Sequence, residues 1–352
     1  MIVLGADMHK GSHTVAAVAA GTGEVLGDKT VAVSERGFVA VLDWARSLGE
    51  ERVWALEDCR HVSGSLERFL LVSGERVIRV ATELMADARR GARSRGKSDA
   101  IDALAVARAA LREGLDALPA AQLAGPELDI RLLVDHRERL VRSRVAINND
   151  LLWHLHDLWP ELKLPGSALV SKKWSAAIGR RLARVEQIAR VRIARDELRR
   201  LRELTVAVDA LEAEISDLVA QIAPQLLDEP GFGPLTAAKL IGEIAGVTRF
   251  STEAKLARAA GVAPIPASSG KTNRHRLDRG GNRQLNATLH RIAITRARCH
   301  PETKAYLDRK RAEGKTTREA IRCLKRHLTR RVWHLLQPPH PVLETPPSSS
   351  IS

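Results

Sequence analysis

The 352-residue chain carries 56 Lys/Arg against 42 Asp/Glu, a formal net charge of +14, and 44% of its residues are apolar. This balance predicts a globular protein of two or three domains with real cores and a polyanionic partner, nucleic acid first. A membrane surface is the alternative partner, but no apolar run approaches the length of a bilayer-crossing helix, and the three cysteines (Cys59, Cys299, Cys323) follow no metal spacing, which predicts a reduced cytoplasm.

The first 115 residues alternate strand and helix patterns. Val3 to Ala6, His13 to Ala19 and Glu24 to Val33 read as three successive strands, with a tight turn at Gly21-Thr22-Gly23. A helix follows from Ser34, a good N-cap, to Leu48. Then come a strand over Val53 to Glu57, a helix over Ser63 to Val72 stopped by Gly74, a strand over Arg76 to Val80, and a helix opening near Asp99. The order βββαβαβα is a meander followed by two crossover units. The chain runs straight into its first strand, which predicts no signal peptide.

Residues 116–125 are rich in Pro, Ala and Gly and read as a linker. Residues 126–160 predict an amphipathic helix, with Leu132, Leu133, Leu140, Val141 and Val145 on one side, ending near Pro160. Residues 161–174 read as loop. Residues 175–223 predict one long helix, in which Leu201, Leu204, Val208, Leu211, Ile215, Leu218 and Ile222 recur at alternating intervals of three and four, a heptad stripe. The stripe suits either an antiparallel hairpin with the 126–160 helix or a dimer-forming coiled coil.

At Pro230-Gly231-Phe232-Gly233-Pro234 a Gly-x-Gly turn enters a helix. It could offer free backbone N–H groups to a phosphate, or it could be a plain helix start with proline in the first turn. Residues 261–283 combine Gly261-Val262-Ala263-Pro264 with Ser268-Ser269-Gly270-Lys271, Arg274, Arg276 and Arg279-Gly280-Gly281-Asn282-Arg283. Between 271 and 298 there are eight Lys/Arg and one acid, Asp278. Gly270-Lys271-Thr272 is no P-loop, since the upstream glycine is missing. Residues 302–336 predict a basic helical tail, with ten Lys/Arg and two acids between 309 and 331, and the Pro/Ser-rich segment beyond reads as disordered. Aromatics are only 3% of the chain, so phosphate contacts rather than base stacking should dominate nucleic-acid binding.

Four acids carry the chemistry. Asp7 ends the first strand pattern and Glu57 ends the fourth; Asp99 and Asp102 share one face at the start of an alanine-rich helix. Each has a structural alternative: Asp7 as a strand end, Glu57 as the first of two exposed acids, Asp99 and Asp102 as first-turn helix partners. Convergence of the four would demand cations, and oxygen ligands suit Mg²⁺, of which two ions commonly break phosphodiesters.

Together these strings resemble the DEDD transposases of the insertion-sequence one-ten family, a likeness that covers the chain to about residue 335. Lys97-Ser98-Asp99-Ala100-Ile101-Asp102-Ala103 is close to the family's K-[ST]-D-x-x-D-A signature. The resemblance implies an N-terminal RuvC-like domain of ribonuclease H fold over residues 1–115, with Asp7, Glu57, Asp99 and Asp102 as catalytic metal ligands. It further implies a linker and helical coiled-coil dimerisation region over 116–226 and a mostly helical C-terminal transposase domain over 227–336, leaving 337–352 as a tail. It places a nucleophilic serine at Ser269, beside Ser268, with Lys97, Gly231, Gly233, Lys271, Arg274, Arg276, Arg279 and Arg283 on nucleic acid. It implies donor and target DNA, a noncoding guide RNA, and a dimer or tetramer as partners. The chain departs from the family in having Lys271 where a second glycine is common, and Arg279-Gly280-Gly281-Asn282 where the family has lysine and one glycine. Competing readings are a Holliday-junction nuclease using the same acids with water, and a non-enzymatic nucleic-acid-binding protein. A sugar-kinase or actin-like ATPase is disfavoured by charge and by the lack of a second phosphate loop.

Overall fold

The computed structural model describes residues 1–57, 64–80, 84, 98–118, 120–121, 125–166, 168–267, 274–278 and 280–338. The chain divides into two compact units, residues 1–123 with 246–352, and residues 124–245.

In the first unit, strands β1 (Ile2–Met8), β2 (Ser12–Ala19), β3 (Val25–Ala32), β4 (Arg52–Glu57) and β5 (Val77–Val80) form one sheet of order β3-β2-β1-β4-β5. The first three run antiparallel; β4 runs parallel to β1, and β5 to β4. The meander and the two crossovers are therefore present as expected. Helix α1 (Glu35–Leu48) is capped by the Ser34 side chain, which accepts from Gly37 N, and α2 (Gly64–Val72) follows β4. Helix α3 (Asp99–Glu113) is capped by Ser98, whose side chain accepts from Ile101 N.

Strand alternation divides the sheet into two cores. Ile2, Leu4, Ala6, Met8, Trp54 and Leu56 pack with Phe38, Leu42, Leu66 and Leu70 on the α1/α2 face. Val3, Val53, Ala55, Ile78 and Val80 pack with Val106, Ala107 and Ala110 on the α3 face. Strands β1, β2, β4 and β5 are thus buried on both sides, as crossover helices over a partly parallel sheet require, while the edge strand β3 is largely exposed. By the same alternation, Asp7 and Glu57 belong to the α3 face.

The same unit contains the C-terminal helices α8 (Glu253–Ala259), α9 (Arg283–Cys299), α10 (Pro301–Ala312) and α11 (Thr317–Leu335), and the two-residue strands β6 (Ile265–Pro266) and β7 (His275–Arg276). Arg258 pairs with Glu113, and Lys255 donates to the Asp116 carbonyl, tying α8 to the end of α3. The expected basic tail is two helices, because Gly314, at φ 84°, lies between α10 and α11 in a left-handed conformation that glycine favours.

The second unit is helical: α4 (Pro126–Leu158), α5 (Lys172–Ala183), α6 (Ala189–Ile222) and α7 (Pro234–Ile244). Helices α4 and α6 run antiparallel, tied by Arg137–Glu212, His154–Glu197 and Asp157–Arg190. Along the stripe Leu201, Val208 and Ile215 are buried, while Leu204, Leu211, Leu218 and Ile222 are half-buried. The single helix expected over 175–223 is interrupted. The Gln187 amide donates to the carbonyls of Leu182 and Val185, satisfying groups at the end of α5 before α6 begins. By packing, the helical unit runs to Ala245 and includes α7. Helix α7 lies directly on α4, where a Cβ at Gly242 would stand 2.8 Å from Arg131 Cβ, and its buried Lys239 pairs with Asp135 and Glu138 of α4.

Candidate active site

Asp7 lies one residue before the end of the central strand β1 and is 5% exposed. The β1–β4 register pairs Ala6 with Leu56, so Glu57, the last residue of β4, is the next position beside Asp7. Glu57 is half-buried. Helix α3 brings the other two acids. It lies close on β1 because Gly5 has no side chain: a Cβ there would overlap the Ala103 carbonyl oxygen and the Ala107 amide nitrogen. The small stripe Ala103, Ala107 and Ala110 completes this contact. With α3 so seated, its first turn carries Asp99 and Asp102 to the Asp7 end of β1. Asp102 is 7% exposed, and the Asp99 side chain is 55% exposed.

The tightest group is Asp7, His9 and Asp99, whose ligand atoms all lie within 4.8 Å of one another. His9 Nε2 is 3.0 Å from Asp7 Oδ2 and 3.4 Å from Asp99 Oδ1. Burial raises the Asp7 carboxyl above its ordinary range; His9 opposes this, and the charges of Asp102 and Asp99 add to the rise. The effect of Asp102 on Asp7 registers its proximity, although it is not one of the three-ligand group. The donors are carboxylate oxygens and one imidazole, a set suited to Mg²⁺ or Mn²⁺, and a cation would offset the repulsion that now burdens Asp7.

His9 was not among the residues singled out from the sequence. Its signal was available: it stands two residues beyond Asp7, just past the end of β1, where continued alternation would put it on the same face.

The remaining expected residues are distributed as follows. Arg274 and Arg276 flank or belong to β7 and are exposed, and Arg283 is the first residue of α9, after the N-cap Asn282. Gly231, at φ 84°, and Gly233 precede α7 in the helical unit, with Pro234 at the first helical position; no side chain caps that end. Lys97, Ser268, Ser269, Lys271 and Arg279 lie outside the described residues.

The motifs around the serine segment converge nonetheless. Gly281 rests on Gly261: a Cβ at Gly281 would overlap Gly261 N and Cα. Asn286 donates to the carbonyls of Ala260 and Gly261, both at 2.9 Å, and accepts from Lys325 at 2.6 Å. Ala267 N donates to Arg274 O at 2.8 Å, closing the base from which residues 268–273 depart.

A transposase model of the IS110 DEDD type matches residues 4–160, and one described as the transposase IS116/IS110/IS902 family matches residues 223–308. The chain belongs to the IS110 family of DEDD transposases. The IS116 44.8 kDa protein of Streptomyces clavuligerus is 28% identical over 98% of this chain and 97% of its own length. The IS900 42 kDa protein of Mycobacterium paratuberculosis is 27% identical over 82% of this chain and 84% of its own. Among solved structures, Thermus RuvC bound to a Holliday junction substrate is similar over 34% of this chain and 99% of RuvC, with 16% identity and a TM-score of 0.27. The two IS110-family models fall on the segments that carry the acids and the serine-flanking motifs, so this insertion-sequence transposase acts on DNA. No helix among its described residues is long and apolar enough to cross a membrane.

Proposed function

We propose that this IS110-family transposase cleaves and exchanges DNA strands through a RuvC-like acid centre and the Ser269 hydroxyl, guided by a noncoding RNA. The observation that carries the reading is the seating of α3 on Gly5, which gathers Asp7, Asp99 and Asp102 at one strand end. The order β3-β2-β1-β4-β5, antiparallel through β2, supports the ribonuclease H assignment.

Asp7, Glu57, Asp99 and Asp102 would hold a pair of Mg²⁺ ions, since four carboxylates balance two divalent charges. When bound, the metal supplies positive charge to the scissile phosphate. The protein's own residues do the rest. His9 fixes the Asp7 carboxylate through its 3.0 Å contact. Ser269 Oγ attacks phosphorus, the Oγ–P bond forms, the P–O3′ bond breaks, and the serine proton passes to the leaving 3′ oxygen. Attack by a second 3′ hydroxyl on the phosphoserine reverses these steps and joins new partners. Arg274, Arg276 and Arg283 would neutralise backbone phosphates, with Lys97, Lys271, Arg279 and the Gly231–Gly233 turn as further contacts. The acids and Ser269 would meet across subunits of a dimer or tetramer in the cytoplasm, with sequence choice delegated to the RNA.

Incubating the protein with a labelled, nicked donor DNA and Mg²⁺, then running a denaturing gel, tests the chemistry. A slow covalent protein–DNA band should appear with wild type and with Ser268→Ala, and disappear with Ser269→Ala. Cleavage without any adduct would instead assign the acids to a water-using nuclease.

A further inference from the structure

The C-terminal helices enclose a cavity of about 430 Å³ that the acid chemistry does not use. Lys325 lines it and is 5% exposed, and among the described residues its ammonium makes one hydrogen bond, to Asn286 Oδ1. An ammonium has three donors, and burial together with the neighbouring Arg322 charge pushes Lys325 below the ordinary lysine range. Tyr306 lines the same cavity; its hydroxyl is buried without a hydrogen-bond partner among the described residues, and burial lifts its pKa to about 12. A hydroxyl and an ammonium short of partners among the described residues of one cavity are an energetic cost that a ligand would remove.

The walls define the ligand. Arg274, Arg276, Lys315 and Arg322 supply positive charge around Lys325. Lys310 pairs with Glu313 and Arg322 has Glu319 within ion-pair reach, and Asp278 also lines the cavity, so its excess of positive charge is partly offset. Apolar lining comes from Val262, Ala263, Pro264 and Leu277. Inorganic phosphate would use only the charged lining and leave most of the volume empty. A planar base attached to a phosphate uses both, and 430 Å³ is on the scale of one small organic ligand.

We propose that this cavity holds a single nucleotide: phosphate toward Lys325 and Arg322, base against Val262–Pro264 with its polar edge toward the Tyr306 hydroxyl. Reading the chain as a nucleic-acid enzyme supplies the source, a nucleotide unstacked from DNA or from RNA, but binding needs neither Mg²⁺ nor Ser269. Unstacking costs a few kcal/mol, which a pocket with unsatisfied polar groups can offset. The position of the cavity, between β7 and α11, sets it beside the base of residues 268–273.

Calorimetric titration with deoxyadenosine monophosphate, adenosine monophosphate and inorganic phosphate tests the inference. The nucleotide should bind at least tenfold more tightly than phosphate. Tyr306→Phe, which removes only the hydroxyl, should weaken nucleotide binding about fivefold and leave phosphate unchanged, and Arg322→Gln should weaken both. A preference for either nucleotide sugar identifies DNA or RNA as the source. In a single-stranded oligonucleotide, 2-aminopurine should brighten on wild-type protein, and Tyr306→Phe should need about fivefold more protein for the same rise. Equal affinity for phosphate and nucleotide would overturn the proposal, as would no nucleotide binding at millimolar concentration by protein that still binds the oligonucleotide. Nucleotide binding by a protein that never forms the serine adduct would sustain this inference while removing the serine mechanism.

Discussion

Gly5 lies against the backbone of Ala103, with no room between them for a methyl group. This contact couples the first strand to the helix that bears half of the acids, so the geometry of the site depends on a residue that has no chemistry. Gly5→Ala should force α3 off the sheet, destabilising the fold by about 1–3 kcal/mol as overpacking does. Strand cleavage should fall more steeply than stability accounts for, because Asp99 and Asp102 move with the helix. Chemical denaturation alongside a Mg²⁺-dependent cleavage assay measures both; wild-type cleavage in a folded Gly5→Ala protein would show that the seating of α3 is unimportant.

Asp7 is buried beside other acids, and burial and those charges hold its carboxyl above the ordinary range. A group with a raised folded-state pKa opposes folding once it ionises, so Asp7→Asn should raise the melting temperature of the metal-free protein while abolishing strand cleavage. Mg²⁺ at a hundredfold excess over its dissociation constant should stabilise wild type by about 2.7 kcal/mol and the variant by far less. His9→Ala should keep the Mg²⁺ response, since the carboxylates remain. A variant no more stable than wild type, with an undiminished metal shift, would remove Asp7 from the metal site.

Much of this site was legible because its elements announce themselves locally. The run Ile2-Val3-Leu4 ends at Asp7, Trp54-Ala55-Leu56 ends at Glu57, and Ser98 caps the helix of Asp99 and Asp102. What sequence reasoning missed depends on side chains acting at a distance or on elements too short to show a period. The break between α5 and α6 has no Gly or Pro; it is fixed by the Gln187 amide turning back onto Leu182 and Val185. Strands β6 and β7 are two residues each, below any alternation signal. The grouping of Lys325, Asn286 and Tyr306 joins three helices, and no spacing within one of them encodes it.

Acid should loosen the first unit through Glu75. Burial would raise this carboxyl, but hydrogen bonds from Arg52, Trp54 and Arg46 outweigh it and hold the group below the ordinary glutamate range. A depressed folded-state pKa contributes stability above the unfolded value, near 4.5, and loses it as pH falls through the folded value. Unfolding free energy should therefore decline below about pH 5, and Glu75→Gln should flatten that decline while costing roughly 3 kcal/mol at neutral pH by stranding the arginines. Denaturant titrations from pH 7 to pH 3 give the slope; equal slopes in the two proteins would rule Glu75 out as its source.

The heptad stripe supported two readings, and its inner edge is satisfied within one chain: Val208 and Ile215 are buried in the pairing of α6 with α4. Its flank is different. Val206 on α6 is 67% exposed and Val145 on α4 is 52% exposed. The antiparallel ion pairs Arg137–Glu212 and His154–Glu197 set residues near 145 and 206 at the same level of the helix pair. Isolated surface valines are ordinary, but the proposed self-association predicts that a second copy covers these two, at one level on paired long helices. Val208→Glu should unfold the helical unit, because a charge enters a closed core. Val145→Glu with Val206→Glu should leave helicity and denaturation midpoint unchanged and lower the mass seen by light scattering, with strand exchange falling in parallel. A folded double variant of unchanged mass would confine the stripe to packing inside one chain, and self-association would then have to use another surface.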